Sequence, residues 1–382
     1  MGKRKGPVED LEMSDDFFKG KKVLITGHNG FKGAWLCNML GLLGSVVYGY
    51  SLDPPSNPNL YDLLGLDEKV TSQRGDISDY NSLFDFYSDV KPDIVIHMAA
   101  QPIVREGYRN PRYTYSTNVI GTVNILECVK EIGAKSFLNV TTDKVYENTN
   151  VGRPFIEDDR IDGSDPYSNS KSCSELVTHT YVRSFPKQMC PVSTARAGNV
   201  IGGGDFSSER IVPDCVRSAV ENKELYLRNP DSIRPYQHVL EPLYAYLRIL
   251  SCQACNPEKA GSYNVGPNSN SCSSTINIVR LFFDKWGTEP TIKVGKEASM
   301  PESMTLRLDN TKIRDVLGIE PQWDLDYAVT KVVEWTKEWV NGSDVKACVD
   351  SQTAEYLSGR GIHVERRGYE EGDPQQGFRI LR

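Results

Sequence analysis

Short apolar runs alternate with longer amphipathic stretches over the first half of the chain. Lys22–Thr26 (KVLIT), Ser45–Tyr50 (SVVYGY), Asp93–Met98 (DIVIHM), Lys135–Thr141 and Pro191–Arg196 have the length and apolar content of strands, and a short strand ends near Arg74. Between them, Phe31–Leu43, Asp79–Val90, Tyr113–Ile132 and Pro166–Phe185 carry helical periodicity. Apolar strands separated by helices predict a parallel sheet covered on both faces. Right-handed crossovers then make it α/β and doubly wound, a Rossmann sheet.

The rhythm breaks after about Gly202. Shorter pieces follow, with turn signals at Asn229-Pro230, Gly266-Pro267 and Glu289-Pro290. Four segments are expected: a flexible N-terminal segment 1–20; a nucleotide-binding domain 21–202 with returning segments; a smaller mixed α/β substrate lobe, mainly 203–342; and a charged, aperiodic tail 343–382 with no role assigned, whose end, 363–382, is expected to be disordered rather than to extend a dimer contact.

Composition narrows the function. Of 382 residues, 39% are hydrophobic and 25% charged, as in a globular protein. A net charge of −7 lacks the basic footprint of nucleic-acid binding. No apolar run approaches the about 18 residues of a membrane helix. The basic start has no apolar stretch behind it, so no signal peptide is read and the cytoplasm is expected. The nine cysteines have no framework spacing, and read as free thiols. Cys252 and Cys255 have no second pair at metal spacing, so no metal is expected.

The segment TGHNGFKG places Gly27, Gly30 and Gly33 between the first strand and its helix. Glycines there allow a tight turn and close approach of backbone to a pyrophosphate, and the helix start supplies amides and positive dipole. This predicts a dinucleotide site including Gly27, Asn29, Gly30 and Phe31. At the end of the second strand, counting reaches Tyr50 or Ser51, with Asp53 slightly late as the ribose acid. Asp53, with no arginine near it in sequence, favours NAD over NADP. Asp76 and Ile77 are placed at the adenine, or Asp76 is a turn residue. Small Ala99 and Ala100 let the chain pass under the nicotinamide ribose.

In SDPYSNSK, Asp165 caps a helix, Pro166 suits its first turn, and Tyr167 and Lys171 share one face. A lysine cation beside a phenol lowers its pKa, so Tyr167 is expected to be the base for an alcohol surrendering hydride, with both residues touching the cofactor. The segment NVTTDKVYEN poses a separate question. It sets Thr142, Asp143 and Lys144 together at a strand end, where charge costs desolvation.

These motifs resemble the extended short-chain dehydrogenase/reductase superfamily. Taken with HMAAQPIVREGY, YSTNVIGTVNILE, ARAGNVIGGGD, RIVPD and IRPYQHVLEP, they resemble the CDP-glucose 4,6-dehydratase family from about Lys21 to Gly342. The resemblance implies CDP-glucose as substrate and bound NAD as cofactor. It implies oxidation at C4, loss of water across C5 and C6, and return of hydride to C6, giving CDP-4-keto-6-deoxyglucose. Thr142 would hydrogen-bond the C4 oxygen, Asp143 be the acid and Lys144 the C5 base, its pKa lowered by burial near Lys171. A structural Asp143–Lys144 ion pair is the alternative. The lysine points to the CDP-glucose branch, since dTDP-glucose enzymes carry Asp-Glu there. For substrate contacts, the resemblance implies Lys32 at the site mouth, with Arg105, Asn169, Asn199, Arg210, Arg234 and His238, and Trp35 in packing. It also implies a homodimer through a four-helix contact of Tyr113–Ile132 and Pro166–Phe185, and a place in deoxysugar biosynthesis for lipopolysaccharide O-antigen. The rivals are dehydratases of dTDP-glucose or GDP-mannose, a sugar-nucleotide 4-epimerase, and a non-catalytic NAD sensor lacking need of Tyr167, Lys171, Asp143 and Lys144.

Overall fold

The computed structural model describes residues 16–148, 152–268, 271–295 and 305–364. Its strands are β1 (Lys22–Thr26), β2 (Val46–Ser51), β3 (Thr71–Arg74), β4 (Ile94–His97), β5 (Ser136–Val140), β6 (Val192–Ala197), β7 (Asn199–Ile201), β8 (Leu225–Leu227), β9 (Ile233–His238), β10 (Ser262–Val265), β11 (Cys272–Ser274) and β12 (Ile292–Val294). Seven form one sheet in the order β10-β6-β5-β4-β1-β2-β3, every pairing parallel.

Strand alternation sorts the core into two layers. Val23 and Ile25 of β1, Ile94 and Ile96 of β4, and Leu138 and Val140 of β5 enter one cluster, with helices Phe31–Leu42 and Leu240–Cys255. Leu24, Val95 and Phe137 enter the other, with helices Tyr80–Val90 and Gly121–Ile132. Both faces are therefore covered, as the continuous apolar runs require. Strand order reverses at β1, between β2 and β4, which opens a crevice beyond their carboxyl ends.

Beyond Gly202 the chain builds a third core from Val212, Leu225, Tyr236, Ile278, Phe282 and Val332. The chain also returns to the nucleotide domain, as β10 pairs with β6. No helix among the described residues is long and apolar enough to cross a membrane.

Three expectations about segments change. Residues 1–15 lie outside the described residues, but Phe18, within the expected flexible segment, is buried in the core. The predicted helix over Tyr113–Ile132 is interrupted: Pro111–Tyr115 and Gly121–Ile132 flank a π-helical turn, Ser116–Ile120. The tail read as aperiodic begins with a folded helix, Val345–Ser358, while the expected disorder over 363–382 falls almost wholly on residues 365–382, outside the described residues. That helix buries Asp350, Gln352 and Thr353 beside Val349, Tyr356 and Leu357, so its inner face carries no clean apolar period. Asn38 donates to Asp350 at 2.9 Å, tying it to the first nucleotide-domain helix.

Candidate active site

The loop after β1 is built for close approach. Gly27 has φ +74°, and a Cβ there would meet Ala99 backbone at 2.9 Å; at Gly33 it would meet the Gly27 carbonyl oxygen at 2.4 Å. Gly30 differs, since a Cβ there would meet protein only at 3.5 Å. Gly27 and Gly33 thus serve the protein's own packing, and Gly30 keeps a side chain out of the mouth of the helix. Helices after Asp79, Asp165, Asp324 and Asp344 are capped by those side chains. Helix Phe31–Leu42 starts at Gly30 with no side-chain cap, which leaves its first amides to an outside anion. A dinucleotide pyrophosphate fits that cradle.

Thr26 sets the neighbouring wall. Its hydroxyl accepts the Met98 and Ala99 amides, both at 3.1 Å, and draws Ala99 against Gly27. Asn29 donates to the Leu52 carbonyl. Asp76 accepts the Ser78 amide and hydroxyl through one oxygen, and the Ile77 carbonyl accepts from Asn124. Asp53 is corrected on one point: Arg74 Nε lies 3.4 Å from its carboxylate. The arginine absent nearby in sequence arrives from the end of β3, which lies beside β2.

At the end of β5, Thr142 caps the 3₁₀ turn Asp143–Val145, and its hydroxyl donates to Asp143 Oδ1 at 3.0 Å. Lys144 Nζ reaches the same oxygen at 3.0 Å. Asp143 Oδ2 is buried and has no hydrogen-bond partner among the described residues. The ion pair held as the alternative reading is therefore formed, and the expected burial of Lys144 is not: its side chain is 28% exposed against 1% for Asp143. The turn points it outward into the cleft, whereas Lys171 takes the buried position.

Lys32 is half-buried, as Lys144 is. Helix Pro166–Ser184, capped by Asp165, carries Tyr167 and Lys171 on its buried face, and Lys171 Nζ donates to the Val140 carbonyl at 3.2 Å. Burial and the Lys32 charge push Lys171 down to about 7, with Glu175 opposing. Burial and Arg210 push Lys32 down to about 8, against Asp143. Lys32 thus sits within the field of Lys171 and Asp143, half-buried in the wall of the cleft. Burial raises the Tyr167 phenol to about 12, while its hydrogen bond with Thr142 and the Arg210 charge pull it down. The relief expected from Lys171 does not reach it in the protein alone.

A cavity of about 380 Å³ opens over this turn, and Lys32, Arg105, Thr142, Asp143, Lys144 and Tyr167 line it with Asn199, Arg210 and Arg234. Arg105 pairs with Glu209 at 3.1 Å and Arg210 with Asp205 at 3.2 Å. Two expected substrate contacts lie elsewhere. Asn169 is two residues past Tyr167, about 200° around a helix at 3.6 residues per turn, so it faces outward and accepts the Tyr115 hydroxyl at 2.8 Å. His238 ends β9 inside the core, its ring 5.7 Å from Trp35 and 4.9 Å from Trp323, and burial holds it neutral, down to about 3. Trp35 packs as expected, donating to the Gly203 carbonyl at 3.0 Å.

The family profile described as GDP-mannose 4,6 dehydratase matches residues 24–332. The chain belongs to this family. It is 40% identical over 351 residues to the CDP-glucose 4,6-dehydratase of Salmonella typhimurium, covering 90% of this chain and 98% of that protein. It is 25% identical over 356 residues to dTDP-glucose 4,6-dehydratase 1 of Escherichia coli, covering 84% and 94%. Among solved structures, dTDP-glucose 4,6-dehydratase from Bacillus anthracis in complex with NAD matches with TM-score 0.71 at 21% identity, over 84% of this chain and 97% of that one. The epimerase Mth375 from Methanothermobacter thermautotrophicus matches with TM-score 0.77 at 21% identity, over 88% and 99%.

Within this GDP-mannose 4,6 dehydratase family member, sequence reasoning passed over Arg228. It lines the cavity from the second lobe with Tyr226 and Ser232. Its only local signal is the Asn229-Pro230 turn after it, which was read as a connection. The turn closes β8 and aims the next residues back at the site.

Proposed function

We propose that this protein is a CDP-glucose 4,6-dehydratase that uses NAD. The observation that carries this reading is the Thr142-Asp143-Lys144 turn set against Tyr167, which joins an acid and a base to a hydride-transfer pair in one cavity. The 40% identity to the Salmonella typhimurium enzyme supports the CDP-glucose branch. Solved dehydratases of the same fold in complex with NAD support the cofactor. Bound at the Gly27–Phe31 loop, NAD would supply the acceptor for the C4 hydride and, once reduced, its donor back to C6.

The chain's own groups manage the protons. Tyr167 takes the C4 hydroxyl proton, and Thr142, bonded to Tyr167, holds the C4 oxygen. Lys171 supplies positive charge beneath them. The C4 ketone then acidifies the C5 proton. Lys144 and Asp143 share one ammonium proton across 3.0 Å. Its transfer to the carboxylate leaves an amine for the C5 proton and a carboxylic acid for the departing C6 hydroxyl. Thus the ion pair is the resting form of the acid–base couple, and deep burial of Lys144 is not required. Arg105, Arg210, Arg228 and Arg234 offer charge-assisted hydrogen bonds to the diphosphate. An epimerase has no need of the acid–base couple.

Four exposed apolar residues support a homodimer. Tyr113 and Ile120 on one helical run and Leu176 and Val182 on helix Pro166–Ser184 leave large side chains at the surface, Ile120 and Leu176 at 48% and 49%. These are the two helical segments expected to pair with their copies. Sedimentation should give twice the monomer mass, and Leu176→Glu should give the monomer; an unchanged mass in that variant would remove this face from the contact. The nine free cysteines suit a reducing cytoplasm, and the product suits deoxysugar assembly for lipopolysaccharide O-antigen.

The test of function is a substrate panel. Purified protein with NAD is offered CDP-glucose, dTDP-glucose, UDP-glucose and GDP-mannose, and loss of water is read by mass. Dehydration of CDP-glucose alone is expected. Dehydration of another nucleotide instead would replace the substrate; epimerised product with no water lost would replace the reaction.

A further inference from the structure

Glu175 lies one turn beyond Lys171 on the catalytic helix and is fully buried. Its Oε1 accepts from the Thr141 hydroxyl and from Arg196 Nε at 3.1 Å. Its Oε2 accepts from the Thr194 hydroxyl at 2.7 Å and Arg196 Nη2 at 3.1 Å. The guanidinium continues through Nη1 to the Tyr146 hydroxyl at 2.8 Å and the Glu157 carbonyl at 2.9 Å. Tyr146 in turn donates to Asn264 on β10 at 2.6 Å.

Thr141 and Tyr146 bracket the turn that carries Thr142, Asp143 and Lys144. One buried ion pair therefore holds both ends of that turn, the adjoining β6 and the catalytic helix. A buried Arg–Glu pair costs desolvation on both sides and is a poor means of stability alone. It is well suited to fixing geometry, since each of its bonds has a direction and a partner on a different element.

Glu175 is also the carboxylate facing Lys171 from its own helix. Lys32 faces Lys171 from helix Phe31–Leu42, and His97 faces it from β4, where burial holds the imidazole neutral. Tyr167 lies one turn before it.

We propose that Glu175, with Arg196, is a positioning pair for C4 oxidation: it pins the Thr142–Lys144 turn against the catalytic helix and keeps Lys171 in the ammonium form. This rests on the reading of Tyr167 and Lys171 as the hydride-transfer pair. The sign of the electrostatic part follows from the charges. Glu175 raises the Lys171 pKa, which otherwise falls under burial and Lys32. Without the carboxylate, the ammonium is lost at a lower pH, so C4 oxidation should fade from the alkaline side first and return as the solution is acidified.

The experiment is single-turnover formation of reduced nicotinamide with CDP-glucose, measured in the full-length protein on both sides of neutrality. Glu175→Gln is expected to lose roughly fivefold at neutral pH and to approach a loss of about tenfold above it, the effect of one pKa unit on a group at about 7. Its alkaline limb should move to lower pH, with KM for CDP-glucose little changed. Glu175→Asp should restore part of the profile. Glu175→Gln/Arg196→Met removes the stranded buried cation and carries the same pH test if the single variant does not fold. A loss equal at every pH, or no loss, overturns the proposal. Wild-type protein that never reduces the cofactor with any sugar nucleotide overturns the parent reading of Tyr167 and Lys171 instead, and this proposal with it.

Discussion

Tyr167→Phe should lose C4 oxidation by about 10²–10⁴-fold while still binding sugar nucleotide and cofactor. The substitution keeps the ring that packs beside the catalytic turn and deletes only the oxygen. That oxygen is hydrogen-bonded with Thr142 and lies within the field of Asp143 and Arg210. Its phenol is pushed up to about 12 by burial in the protein alone, which is a poor base at neutral pH. The positive charge of a bound nicotinamide would act in the opposite direction, so the base is completed only in the loaded site. Reduced nicotinamide absorbance in a single turnover measures the loss, and calorimetry measures the retained binding. Wild-type formation of reduced cofactor in this variant would remove Tyr167 from the mechanism.

Lys144→Ala has a different expected signature. It should oxidise C4, accumulate reduced cofactor and stall before water is lost, with dehydration down by about 10²–10⁴-fold. Two observations lead there. Lys144 bonds the same carboxylate oxygen as Thr142, and it is the most exposed of the three cavity-lining residues of the turn. Asp143 is buried, so the variant also strands a carboxylate, and Asp143→Asn serves as the companion. In Asp143→Asn, C4 oxidation should again precede the block, because the C6 hydroxyl has lost its acid. Dehydration at the wild-type rate in Lys144→Ala would show that another group removes the C5 proton.

Much of the frame was legible because its signals are local. Strands β1 and β4 are continuous apolar runs, and the glycine loop and the Asp165-Pro166 helix start each carry their chemistry within a few residues. What failed depended on direction or distance. Asn169 sits in the right helix but on its outer face, which helical spacing could have revealed. His238 shares β9 with Arg234 and ends it among tryptophans brought in from two other segments. Arg74 meets Asp53 only because β2 and β3 are neighbours. Helix Val345–Ser358 hides its buried face behind polar residues that find partners, such as Asp350 with Asn38 and Lys346. Burial of Lys144 follows from the sequence only if burial is the one route to a neutral amine, and its pairing with Asp143 supplies another.

The central claim is an internal oxidation and reduction of one sugar, with the proton chemistry confined to Tyr167, Lys144 and Asp143. It is tested most directly with CDP-glucose carrying deuterium at C4, turned over in ordinary water, followed by the reverse labelling in deuterium oxide. The account predicts that the C4 deuterium appears at C6 of the 4-keto-6-deoxy product, and that solvent deuterium enters at C5. Deuterium returned to C4, or lost to solvent, would contradict the dehydratase account.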